Sequence, residues 1–154
     1  MKKAIGVILI GLFFLLNSCS WQEYFLIFNE TEFHVLVEYE IEKTDIGFPI
    51  FMARPSLYKI AKNGGVSWEE KITAKDEDSL VHLIKIVLPP HSVLNFGLLS
   101  NDRYQNYDQK FINDRVFNLD KIVIEVKGEI TEILPEKFDV FFIKGSNGIA
   151  HRIK

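Results

Sequence analysis

The sequence predicts an all-β fold, an antiparallel, Ig-like β-sandwich of about eight or nine short strands. Three observations carry that expectation. Residues 33–42 alternate strictly, with Phe33, Val35, Val37, Tyr39 and Ile41 on one face and His34, Leu36, Glu38, Glu40 and Glu42 on the other. A period of two sustained over that length is a strand with one buried face. The rest of the chain falls into short apolar runs separated by Gly, Pro, Asn and Asp, the residues that turn a backbone. No amphipathic helical pattern lies between the runs, and parallel strands need crossovers of a dozen or more residues.

The elements follow in order. Residues 24–28 form a first strand, and Asn29-Glu30-Thr31-Glu32 reads as a hairpin turn into 33–42. A strand at 66–72 follows the turn Asn63-Gly64-Gly65, and a long apolar run at 80–88 stops at Pro89-Pro90. Strands at 93–99 and 121–127 come next; in the latter, Ile122, Ile124 and Val126 alternate with Lys121, Val123 and Glu125. Runs at 130–134, 138–144 and 149–153 complete the set, broken by Gly128, Pro135 and Gly145-Ser146-Asn147-Gly148. A small closed barrel is the alternative arrangement. Two segments resist the pattern. Residues 55–61 read as one or two helical turns, with Leu57, Ile60 and Ala61 on one side and Gly64-Gly65 beyond. Residues 101–118 are polar, aromatic and rich in Asn and Asp, a long excursion between strands.

Ahead of these strands lies a leader. Lys2 and Lys3 precede an unbroken apolar stretch at 4–16, and the chain's only cysteine, Cys19, follows Leu16-Asn17-Ser18. A charged start, an apolar middle and a small residue at the cut are the layout of an export signal. The apolar stretch reaches only about 20 Å as a helix against a hydrocarbon core of about 30 Å, so a spanning helix fits poorly. An ordinary cleavage site favours small residues at −3 and −1, and Leu16 fails at −3. The run Leu16-Asn17-Ser18-Cys19 resembles the lipobox of bacterial lipoproteins. That resemblance implies removal of residues 1–18, a diacylglyceryl group on the Cys19 sulfur and an acyl group on the new amino terminus. Two or more chains anchor stably where one does not. Ser20 at +2, in place of the Asp of inner-membrane retention, implies the outer membrane. A single cysteine forms no intramolecular disulfide, and lipidation accounts for its presence in an exported chain. Residues 19–23 are then a short tether and 24–154 a single domain. Beyond the lipobox the chain resembles small bacterial β-sandwich lipoproteins of unknown function, which carries no functional residue across.

Removing 18 of 154 residues leaves 136, room for one core. The leader takes two of 18 basic residues and none of 21 acidic ones, leaving a formal charge of −5. That balance speaks against nucleic acid as a partner. Only Phe13 and Phe14 of 13 phenylalanines leave with the leader, so the aromatic payload sits in the folded body.

No catalytic motif is present. Gly145-Ser146-Asn147-Gly148 resembles a nucleophile elbow only loosely and reads as a turn. His34, His82, His91 and His151 show no metal-ligand spacing, although His34 and His82 could face each other across strands. Asp76-Glu77-Asp78 lacks the alternation and glycine of a calcium loop, and Lys62-Asn63-Gly64-Gly65 lacks the strand and helix of a phosphate cradle. Asp78-Ser79-Leu80 resembles a short acceptor motif for O-linked glycans on exported bacterial proteins, with Ser79 as acceptor. The most suggestive stretch is Arg103-Tyr104-Gln105-Asn106-Tyr107-Asp108-Gln109-Lys110. Flat aromatic faces stack sugar rings and planar amides or carboxylates hold hydroxyls, so Tyr104, Asn106, Tyr107 and Asp108 are the candidate ligand residues; peptide-binding loops use similar chemistry. The alternative is that both tyrosines pack down to close one end of the sandwich. The expectation is a lipid-anchored, non-enzymatic binding or structural module without a cofactor or metal, tied to the membrane through Cys19. Its partner would be a protein or glycan of the envelope, and a carbohydrate-binding accessory lipoprotein is the alternative.

Overall fold

The computed structural model describes residues 21–44, 47–73, 77–80 and 82–154. The leader and Cys19 lie outside the described residues, as does Asp76. The strands are β1 (Gln22–Asn29), β2 (Val35–Ile41), β3 (Phe48–Pro49), β4 (Phe51–Ile60), β5 (Val66–Ile72), β6 (Glu77–Leu80) and β7 (Leu83–Leu88). They continue as β8 (Ser92–Ser100), β9 (Arg115–Val116), β10 (Leu119–Val126), β11 (Glu129–Ile133), β12 (Ile143–Gly145) and β13 (Gly148–Ile153). One sheet runs β12-β13-β1-β8-β4-β5 and the other β11-β10-β2-β7-β6, with β3 and β9 as a small parallel ladder beside them. The expected all-β sandwich is present, more finely divided than the sequence suggests.

The alternation of β2 sets the core. Val35, Val37, Tyr39 and Ile41 are buried, while Leu36, Glu38 and Glu40 are not. On the solvent side Glu38 pairs with Lys85 and Glu40 with Lys121, each at 2.8 Å. Across the interior, Phe25 and Ile27 of β1 and Leu94 and Phe96 of β8 pack with these residues and with Ile84, Ile122 and Ile124. β1 is buried on both faces. Its Leu26 and Phe28 join Val93 in a second small core behind the first sheet. That back face is covered because the sheet curls. Trp68 of β5 reaches Tyr24 of β1 at 4.5 Å between ring centroids, although β8 and β4 lie between those strands. Arg152 holds the β4–β5 turn through the Gly64 carbonyl (3.1 Å) and lies over the Phe28 ring (3.9 Å).

Several expectations need correction. Residues 55–60 belong to strand β4, which ends just before Ala61, and the segment is not a helix. The segment is laddered to both β8 and β5, and Pro55 falls in the irregularity between Phe51 and Ser56, where no ladder donor is needed. Residues 138–144 are not one strand. Pro135–Lys137 is a 3-10 turn, Phe138–Phe141 is a helical turn, and only the end is β12. Helical spacing brings Phe138 and Phe142 together in the core, stacked at 4.1 Å, and leaves Val140 outside. The turn 29–32 is no hairpin, since β1 and β2 lie in different sheets. The run 80–88 is broken: Leu80 pairs with Leu83, making the β6–β7 hairpin. β1 and the last strand, β13, run parallel, with Phe25 opposite Ile149.

Two turns behave as the sequence indicates. Between β10 and β11, Lys127 and Gly128 both have positive φ, 52° and 85°, the conformation a two-residue hairpin requires. Ser146-Asn147 joins β12 to β13 through the pair Gly145↔Gly148. A side chain at Gly148 (φ 126°) would collide with the Tyr24 carbonyl.

The register assigns each loop to an end. Gln22 pairs with Ser100 at one end of the first sheet and Asn29 with Ser92 at the other. The start of β1, the excursion 101–118 and the β12–β13 turn therefore share one end, the one from which the chain leads back to Cys19.

Candidate functional site

The excursion after β8 is held by two of its own side chains. The Asn101 N–H donates to the Trp21 carbonyl (2.7 Å), tying the loop's base to the residue before β1. Asp102 then accepts from the backbone N–H groups of Arg103 (2.7 Å) and Ile112 (2.8 Å), closing the loop across ten residues. Gln109 accepts from the N–H groups of Gln105 (2.5 Å) and Asn106 (3.2 Å) and donates to the Arg103 carbonyl (2.9 Å). Asp102 and Gln109, read in the sequence only as loop composition, thus act as backbone clamps.

Beneath the loop lies an aromatic plug. Tyr104 is 5 % exposed. Its ring meets Phe25 (5.2 Å), Phe138 (5.9 Å), Phe111 and Phe117 (6.4 Å each). Its hydroxyl donates to Asp139 (2.6 Å) and its N–H to the buried carboxylate of Glu23 (2.7 Å), which also pairs with Lys144. Burial first, then the bond to Asp139, holds the Tyr104 hydroxyl well above the usual phenol range. The ring faces that sugar stacking would need are covered. Tyr107 is half-buried against Phe117 (6.2 Å), and its N–H also donates to Asp139 (3.2 Å). Asn106 and Asp108 are exposed. The four candidate ligand residues are therefore not gathered round one surface; the two tyrosines close the end of the sandwich.

Tyr107 and Asp108 line one cavity, of about 470 Å³, with Phe111, Arg115 and Phe117, and a second cavity lies beside the base of the loop. This second cavity, of about 710 Å³, is lined by Trp21, Asn101, Asp102, Arg103, Gln105, Gln109, Lys110 and Ile112. Trp21 is 48 % and Ile112 54 % exposed. The Arg103 guanidinium sits 4.6 Å over the Trp21 ring, a cation–π contact. Trp21 and Ile112 lie outside the stretch singled out by sequence; the Asn101 bond brings the first, and the closure through Asp102 the second, beside Arg103 and Lys110.

The histidines stay apart. His34 precedes β2 and His82 precedes β7, and in the antiparallel register those positions fall at opposite ends of the pair. His91 pairs with exposed Glu32 (3.0 Å). His151 donates from Nδ1 to the Phe141 carbonyl (3.1 Å), and burial lowers its pKa. Among the described residues no three His, Cys, Asp or Glu side chains form a group able to hold a metal. Ser79 lies on β6, with its side chain outside the described part. Comparison with protein-family models, with curated proteins and with solved structures finds no match to this chain.

Proposed function

We propose that this chain is a lipid-anchored protein of the bacterial cell envelope, held in the outer membrane through Cys19, with a sandwich that works as a non-enzymatic binding or structural module. The observation that carries this reading is the run Leu16-Asn17-Ser18-Cys19 placed just ahead of Trp21 and β1. The strand that continues from the anchor is buried on both faces, so pull on the tether is borne by the core. Cys19→Ala is expected to abolish palmitate labelling and release the protein into the soluble fraction. Labelling and membrane association that persist in that variant would refute the reading.

A carbohydrate-binding accessory lipoprotein is the second reading, and a different face from the 104–110 loop favours it. Trp68, 44 % exposed, packs between Tyr24 (4.5 Å) and Tyr58 (5.1 Å) on the back of the first sheet. A half-exposed indole framed by two tyrosines offers a face on which a hydroxyl-rich ring can stack. Trp68→Ala should then remove binding on an envelope-glycan array, and equal binding by the variant would exclude that face.

A further inference from the structure

We infer that the cavity at the tether end is a membrane-docking face that takes the phosphates of phospholipid headgroups, with Arg103 and Lys110 as its cations, Trp21 at the interface and Ile112 dipping toward the acyl chains. This rests on the lipid anchor at Cys19 and adds the orientation the anchored domain adopts.

Covalent reach is the first argument. Cys19 is two residues from Trp21, so even a fully extended chain separates them by roughly 7 Å. The headgroup layer is itself about 5–8 Å thick on each side of the hydrocarbon. An acylated Cys19 therefore holds Trp21 within or against the headgroups. The residues around Trp21 meet the bilayer with it, because Asn101 is bonded to the Trp21 carbonyl and Asp102 ties Ile112 to the same loop.

Side-chain chemistry is the second. Among the described residues Arg103 and Lys110 make no ion pair. Each oxygen of the neighbouring Asp102 accepts a backbone N–H, so this carboxylate is engaged by the loop and is not paired with either cation. Tryptophan gathers at membrane interfaces, and basic side chains are drawn to anionic leaflets. An exposed Ile112 at the rim is a poor fit to water and a good one to the acyl boundary.

The test uses full-length, processed protein in phosphatidylethanolamine–phosphatidylglycerol vesicles containing lipids brominated near the headgroup. The chain has two tryptophans, so Trp68→Phe leaves Trp21 as the reporter. Trp21 emission should be quenched on reconstitution, as for an indole at the membrane interface. Arg103→Glu with Lys110→Glu should lower that quenching without abolishing it, because the loop turns away from the leaflet while the link to Cys19 still limits how far Trp21 can withdraw; the protein should still float with the vesicles and keep its circular dichroism spectrum. Unquenched Trp21 in protein whose mass shows acylated Cys19, or quenching unaffected by the charge reversals, overturns the docking face and leaves the anchor standing. An unmodified Cys19 in the same preparation removes the anchor and the docking face with it.

Discussion

The two ends of the sandwich solve the same problem, closing a stack of sheets, with different means. At the end away from the tether the connections are tight, and one buried side chain serves several of them. Asn29 donates to the carbonyls of Phe33 (2.7 Å), Leu88 (3.2 Å) and Pro89 (2.9 Å) and accepts from the N–H and hydroxyl of Thr31. Arg152 pairs with Glu30, and Lys127 lies 3.6 Å over the Phe33 ring. At the tether end the excursion 101–118 and the helical turn Phe138–Phe141 lie over an aromatic plug instead. Backbone polar groups can be satisfied with few residues, as Asn29 shows. The longer construction at the other end presents a concave surface, and the plug lets a polar loop rest on the core without exposing it.

This contrast can be broken at either end. The largest effect is expected from Phe138→Ala, which empties the centre of the plug where Phe25, Phe51, Tyr104, Phe117 and Phe142 meet. A loss of about 3–5 kcal/mol is expected in urea unfolding. A loss below about 1 kcal/mol would mean that the plug is not packed as described. Asn29→Ala should cost about 2–3 kcal/mol, from several net hydrogen bonds and the carbonyls left unpaired. Its effect on exchange of the Thr31 and Phe33 amides should be local, and protection unchanged there would contradict the capping role.

The smallest effect sharpens the comparison through pH. Tyr104→Phe should cost about 1–2 kcal/mol, the bond to Asp139. Tyr104 and Tyr39 both have hydroxyls raised in the folded protein, Tyr39 by burial alone and Tyr104 by burial with Asp139. The folded state thus keeps protons that the unfolded state releases above about pH 10. That stability is fully present below pH 10 and declines as pH rises beyond it. Tyr104→Phe should flatten part of the alkaline decline, and an unchanged slope would show that its hydroxyl ionises freely.

How far the sequence could be read depended on where the information lay. β2, the β10–β11 hairpin and the β12–β13 turn are written locally, in strict alternation and in turn residues, and they appear as expected. Residues 55–61 and 138–144 were misread because tertiary pairing decides them. A Pro in a strand is tolerated at an irregularity that no local pattern reveals, and a Phe pair spaced by four serves a helical turn as well as alternation serves a strand. At the candidate site the loop was legible as a loop, but not its inside and outside. Tyr104 turns inward because Glu23 and Asp139, distant in sequence, take its polar groups, while Trp21 and Ile112 join the loop's surface through the Asn101 and Asp102 bonds.

The most direct measurement is the intact mass of the native protein extracted from bacterial envelopes. The account predicts a chain beginning at residue 19 and heavier by a diacylglyceryl and an acyl group. A free thiol at Cys19, with the first eighteen residues kept or removed, would contradict it.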